Sequence, residues 1–424
     1  MKDIAGVILA AGEGTRMRSN TPKVLYRLGG RPLLECIINT LRQAGLDRII
    51  VIIGHKSELI REYLKDFNTE IVIQKEPLGT ADALYSAREA LLNFEGTILV
   101  VCADVPLIKV DTLLNLIKLH RKENAVCTLL SAELKDPTGY GRIIRNDNGE
   151  VIRIVEEKNT SIYQRVILEV NSGAYCFDSK KIFNILDEFM SKIRKGEYYL
   201  TDTIEIFKRH KDKITSYITD DPSEITGINS RKDLAFAYEI MRKRILDELL
   251  SRGITIVDPN TTFIDSNVII GQDTTIYPFV FIETDVNIGK NCSIGPFCRI
   301  RSGTTVEDNT RIGNFVEVTR SHVKKGVKIN HFSYIGDATI GSGVNIGAGT
   351  ITANYNGRTK NKTEIGSGAF IGSGTILIAP VRVGKQATTG AGCVVPKGKD
   401  IADKSIVVGV PAKVLKSSKR RPHK

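Results

Sequence analysis

The chain has 424 residues, 42% hydrophobic and 25% charged. That balance excludes a disordered polymer and leaves room for two or three buried cores. No apolar run approaches the roughly 18–20 residues that span a bilayer, and the net charge of +12 leaves two partner classes open, nucleic acid or small polyanions.

The N-terminal segment MKDIAGVILAAGEG runs its apolar stretch straight into glycines and charge, unlike a secretory signal. Strands are predicted over 5–10, 49–54, 70–73, 97–102, 126–130 and 173–177, and amphipathic helices over 32–44, 80–93 and 111–123. This alternation reads as a mostly parallel, doubly wound α/β sheet of the Rossmann-like kind, with helices on both faces. Ligands in such folds sit beyond the carboxyl ends of the strands, so the loops that follow strands carry the chemistry. The first such loop runs from Leu9 through Ala10, Ala11, Gly12, Gly14 and Arg16 to Met17, with Lys23 shortly after. Clustered glycines leave backbone N–H groups free to converge on phosphate oxygens, and Arg16 and Lys23 add positive charge. No GK[ST] and no third glycine follows, so the loop is neither a Walker motif nor a dinucleotide fingerprint.

Over 230–252, Leu234, Tyr238, Met241, Ile245 and Leu249 recur at three- or four-residue steps and Gly253 supplies a stop, which predicts one amphipathic connecting helix. From Ile264 through Ile270 and Ile276 to Val318, an aliphatic residue then returns every six positions without a break. Five-residue steps precede Val323 and Ile340, and an excursion over 352–364 interrupts the pattern before Ile365. A six-residue period is the hexapeptide signature of a parallel β-helix, here expected to be left-handed, with three hexads per coil of about 18 residues. His331 stands out on that repeat, and by itself it reads more often as a structural side chain than as a functional one. The seven cysteines form no CxxC pair, which suits reduced thiols in a cytoplasmic protein and excludes a zinc ribbon. Sparse aromatics, 6% with no Trp, argue against a base-stacking surface, so no nucleic acid is expected as partner.

The segment LAAGEGTRM…PK resembles the signature of sugar-1-phosphate nucleotidyltransferases. With QKEPLGTADAL, ADVPLI, GYGRI, VEEKN, EVNSGAY, GEYYLTD, GNFVEV, NHFSYIGDA and NIGAGTITANYNG, the chain is similar along almost its whole length to the GlmU family. Members of that family are bifunctional N-acetylglucosamine-1-phosphate uridyltransferases and glucosamine-1-phosphate acetyltransferases. The resemblance implies a nucleotidyltransferase domain over 1–229, a connecting helix over 230–252 and a β-helix acetyltransferase domain with a basic tail over 253–424. It further implies UTP and acetyl-CoA as co-substrates, and Mg2+ held by Asp104 and Asn229. Leu9, Ala10, Ala11, Gly12 and Lys23 would bind the nucleotide, with Gln74, Gly79 and Thr80 on the uracil. Gly141, Glu156, Asn171 and Asn229 would meet the N-acetylated sugar phosphate, and Arg16 and Lys23 would stabilise the departing pyrophosphate. On the β-helix, the resemblance makes His331 a general base oriented by Glu317, since imidazole titrates near neutrality. It assigns Arg301, Tyr334, Asn345 and Lys360 to glucosamine phosphate. Ala348, Asn354, Tyr355, Ser373 and Ala391 go to acetyl-CoA, in a homotrimer whose excursion reaches an adjoining subunit.

Two departures bear on acetyl transfer. Thr319, with Arg320 beside it, stands where the family has a lysine, and Gly409 stands near a family arginine. The lysine- and arginine-rich tail from Lys416 reads either as a solvated end or as a source of that missing charge. An alternative is therefore a nucleotidyltransferase whose β-helix only oligomerises.

Overall fold

The computed structural model describes residues 1, 3–192 and 196–415, so the tail from Lys416 lies outside the described residues. The chain divides into two compact units, Met1–Glu239 and Ile240–Lys424, and the division falls within one 21-residue helix, Arg231–Ser251. Among the described residues no helix is long and apolar enough to cross a membrane.

The first unit is built on a nine-stranded sheet. Its main path runs Ile214–Ile218, Cys127–Glu133, Glu169–Asp178, Thr97–Cys102, Ile4–Ala10, Arg48–Ile53, Glu70–Ile73. Neighbours pair parallel except around Glu169–Asp178, which is antiparallel to both strands beside it. The sheet is thus mixed, with a parallel half that carries the four loops facing one edge. Strand Arg48–Ile53 shows why these segments are central. Its last five residues are aliphatic and buried, as a strand covered on both faces requires. Ile49, Val51 and Ile53 join helices Leu33–Gln43 and Val110–Glu123 in one core. Ile50 and Ile52 join Thr80–Ser86, Ser179–Lys192 and Thr203–Arg209 in the other. The helix expected over 80–93 stops at Ser86 and continues as turns. There the Arg48 guanidinium takes the Ala90 carbonyl at 2.6 Å, drawing it off a helical ladder.

The second unit is a parallel β-helix of strands mostly two or three residues long. One face stacks seven of them, through the register Ile270, Ile288, Val306, Val323, Ile340, Ile365 and Val383. Successive partners lie 18, 18, 17, 17, 25 and 18 residues apart. The two 17-residue coils hold the five-residue steps seen in the sequence, and the 25-residue coil holds the excursion. The six-residue aliphatics from Ile264 to Val383 all belong to one sealed core, each at most 3% exposed. The other two faces merge into one sheet, because Arg311–Thr319 and Lys328–Gly336 pass round a corner without a break. Corners are taken by residues in the left-handed region, among them Phe279, Phe297, Phe315 and Phe332. These four phenylalanines are 47–70% exposed, and the first three stack ring on ring at 4.6 and 5.4 Å.

Each coil is held only by its neighbours, so a cavity inside one coil is felt at once. Ile300→Ala, at a fully buried hexad position, should destabilise the β-helix by about 2–5 kcal/mol, read as a fall in its unfolding midpoint. An unchanged midpoint would show that the prism interior is not close-packed there.

Candidate active sites

Parallel neighbours end at the same edge, and the loops that leave three of the four parallel strands, Ile4–Ala10, Glu70–Ile73 and Thr97–Cys102, line a cleft of about 650 Å³. Leu9, Ala10, Ala11, Gly12, Lys23, Gln74, Gly79 and Thr80 all line it, together with Arg16 and Asp104. Gly79 is bound to its place by space. It adopts φ 111°, and a Cβ there would lie 2.4 Å from the Tyr198 carbonyl oxygen. That close approach ties two loops together, since Ala81 N–H donates to the Tyr198 carbonyl at 2.9 Å and Leu200 N–H to Thr80 Oγ1 at 2.9 Å. Gln74 is 6% exposed and donates through Nε2 to the Gly79 carbonyl at 3.1 Å and to Asp82 at 2.7 Å, which fixes the orientation of its amide. Glu197 and Tyr199 also line the cleft. Their motif, GEYYLTD, contributes to the family resemblance, which assigns neither residue a role. Lys158 ties them, donating to the Tyr199 hydroxyl at 2.6 Å and to Glu197 at 3.3 Å. Burial pushes the Cys102 thiol at the cleft floor up to about 12, so it offers no reactive thiolate at neutral pH.

The Lys23 ammonium sits 2.5 Å from Asp104 Oδ2 and 3.1 Å from Asn229 Oδ1. Two oxygen donors from distant parts of the chain therefore converge on one positive charge, and hard oxygen ligands of this kind suit magnesium. Their placement is not left to the side chains alone. Ile228 N–H donates to the Asp104 carbonyl at 2.7 Å, and Asp233, in the first turn of helix Arg231–Ser251, accepts from the Asn229 and Ser230 N–H groups at 3.0 and 2.8 Å.

Gly141, Glu156 and Asn171 gather at the same edge, because the antiparallel strand brings its start, not its end, there. Asn171 N–H donates to the Gly141 carbonyl at 2.8 Å, and Glu156 accepts from the Thr201 hydroxyl at 2.7 Å. With Asn229 they fall outside the residues that line the 650 Å³ cleft.

On the β-helix, one edge carries a row. Asn314 is in register with His331, the next coil brings Phe332 against Gly349, and Ala348 and Ser373 accept from Gly374 and Gly392 in turn. His331, Ala348, Ser373 and Ala391 thus occupy one edge on successive coils, with the imidazole, Ala348, Ser373 and Ala391 all exposed. Glu317 does not reach the imidazole. The 17-residue register sets it beside Tyr334, and its carboxylate accepts from Arg301 at 3.0 Å. The same register puts Asn314, which sequence reasoning missed, against His331, with Oδ1 3.0 Å from Nδ1. An amide oxygen only accepts, so this contact favours the neutral tautomer with the proton on Nδ1, which leaves Nε2 as the acceptor. Asn345 stands beside Lys328 on an adjoining face. In the excursion, Asn354 turns inward at 6% exposure while Tyr355 is 61% exposed and bridges to Lys360.

Comparison with known proteins agrees with both halves. Residues 5–223 match the Nucleotidyl transferase family. Residues 267–302 and 285–320 match the bacterial transferase hexapeptide family, and 362–397 match the hexapeptide repeat of succinyl-transferase. The bifunctional protein GlmU of Syntrophomonas wolfei is 40% identical over 93% of this chain and 95% of its own length. That of Pelotomaculum thermopropionicum is 42% identical over 89% of this chain and 90% of its own length, and that of Streptococcus uberis 40% identical over 98% of each. With a nucleotidyltransferase cleft, a hexapeptide β-helix and relatives this similar along nearly the full length, the chain belongs to the GlmU family.

Proposed function

We propose that the chain makes UDP-N-acetylglucosamine in two steps at two separate sites. On the β-helix, acetyl-CoA acetylates the amine of glucosamine-1-phosphate. In the cleft, the phosphate oxygen of N-acetylglucosamine-1-phosphate attacks the α-phosphorus of UTP, and the bond to pyrophosphate breaks. The observation that carries the two-site reading is the edge where His331, its Nδ1 held by Asn314, stands in line with Ala348, Ser373 and Ala391. A β-helix kept only as an oligomerisation scaffold has no need of a polarised imidazole on that row.

For acetyl transfer, His331 Nε2 takes the amine proton while Asn314 holds the Nδ1–H, so the ring stays oriented as it charges. Glu317, Arg301, Tyr334 and Lys360 contribute to the sugar-phosphate side. For uridylyl transfer, the loop from Leu9 to Gly14 offers N–H groups to the phosphates, and Arg16 and Lys23 neutralise the leaving pyrophosphate. Asp104 and Asn229 would hold magnesium, which when bound would neutralise phosphate charge. Gly141, Glu156 and Asn171 would hold the N-acetylated sugar. A homotrimer fits the exposed phenylalanine edge Phe279–Phe332, since so regular an apolar stripe favours burial against a second copy. The +12 charge matches polyanionic substrates, and UTP and acetyl-CoA are consistent with a cytoplasmic location.

The two activities should separate by mutation. His331→Ala is expected to lower thiol release from acetyl-CoA by about 10²–10⁴-fold while leaving pyrophosphate release from UTP unchanged; thiol release at the native rate would remove His331 as the base. Asp104→Ala should do the opposite, abolishing magnesium-dependent pyrophosphate release with acetyl transfer intact. A variant at Asp104 that keeps the same magnesium dependence would exclude it from the metal site.

A further inference from the structure

Arg320 and Asp337 occupy one corner of the β-helix on successive coils, immediately after the register pair Thr319 and Gly336. Both are in the left-handed region, with φ 45° and 50°, where aspartate is favoured over most side chains and arginine is not. Arginine is an unusual occupant, and its guanidinium shows what it is held for. Nε and Nη2 close a fork on Asp337 Oδ1 and Oδ2 at 2.7 and 2.8 Å, and Nη1 donates to Thr319 Oγ1 at 3.0 Å. Such a fork is the strong, directional form of an ion pair. It also leaves Arg320 neutralised, so this residue is not a free cation waiting for a ligand phosphate.

The same carboxylate reaches further. Asp337 Oδ2 accepts from Asn354 Nδ2, which is how the amide of an almost buried asparagine is satisfied. The Arg320 guanidinium also interacts electrostatically with Tyr334, and the Lys360 ammonium contributes to the field on Asp337. Asn354 and Tyr334 meet over Gly336, where a Cβ would lie 2.7 Å from both Asn354 Nδ2 and the Tyr334 hydroxyl oxygen. One carboxylate on one corner therefore ties two side chains from elsewhere in the chain, Arg320 one coil before it and Asn354 in the excursion after it.

We propose that Asp337, clamped by Arg320, is a positioning residue for acetyl transfer, holding Asn354 directly and, beside it over Gly336, the Tyr334 hydroxyl that Arg320 also faces. The inference rests on the acetyl-transfer reading of the β-helix. Neither residue touches the reacting atoms, since each acts through the two it holds. Losing Asp337 frees Asn354 and unclamps Arg320, so both substrates are affected. Losing Arg320 leaves Asn354 its acceptor and weakens mainly the Tyr334 side.

The test uses the full-length enzyme, with thiol release measured while glucosamine-1-phosphate and acetyl-CoA are varied in turn. Asp337→Ala should raise KM for both substrates by about 10–100-fold, the range for displaced supporting groups, with pyrophosphate release unaltered. Arg320→Ala should raise KM for glucosamine-1-phosphate more than for acetyl-CoA, and Arg320→Lys should recover part of that loss. If Asp337→Ala fails to fold, Asp337→Asn, which keeps the shape and an acceptor for Asn354 but weakens the clamp, should reproduce the Arg320→Ala pattern. Native KM values in these variants, whatever their melting temperatures, would overturn the proposal and leave the pair a purely structural corner. An unsubstituted enzyme that releases no thiol is a different result, overturning the acetyl-transfer reading itself.

Discussion

Everything on the second unit follows from one constraint, that an aliphatic side chain must enter the prism at each hexad. Once Ile270, Ile288 and Val306 are stacked in register, the outward positions are stacked too, about 4.8 Å apart along the axis. Residues far apart in sequence, from Asn314 to Ala391, are thereby drawn onto one straight edge. The burial of apolar area provides the stability, and the functional row is a geometric by-product of the same stacking. A shift of one residue in any coil would turn a core isoleucine out and swing the neighbouring edge residue off the row.

The first unit reaches a comparable convergence by different means. Parallel pairing from Ile4–Ala10 outward brings four loops to one edge, so a phosphate loop, a glutamine and an aspartate meet without any of them being close in sequence. One antiparallel strand, Glu169–Asp178, adds its starting residues to that edge. Lys23, Asp104 and Asn229 then meet at a single point, and the point is fixed by backbone hydrogen bonds at Ile228 and Asn229 more than by the side chains themselves.

How much of this could be read beforehand depends on whether the information is local or long-range. The hexad period is local and repeated, so the β-helix, its two short steps and its excursion are all visible in the letters. The glycine loop is equally local, and every nucleotide residue expected from it lines the cleft. The partner of His331 is not local. That Asn314 faces the ring depends on a coil of 17 residues, since one of 18 would set Gly313 there, while Glu317 lies beside Tyr334 and is held by Arg301. Glu197 and Tyr199 were equally invisible, since nothing in GEYYLTD reports that a chain segment returns to press against Gly79. The antiparallel strand also escaped, because a buried strand has the same apolar composition in either direction.

The two 17-residue coils have a consequence for how the prism finds its registry. A stack of identical 18-residue turns could thread itself one turn out of phase with little loss, since each isoleucine would still find an isoleucine. The shortened turns at Val306–Val323 and Val323–Ile340, followed by the 25-residue turn to Ile365, break that translational degeneracy. They act as an index mark on an otherwise uniform ruler, so that the chain can close with only one phase, and one of them, Val323–Ile340, carries both His331 and Asp337.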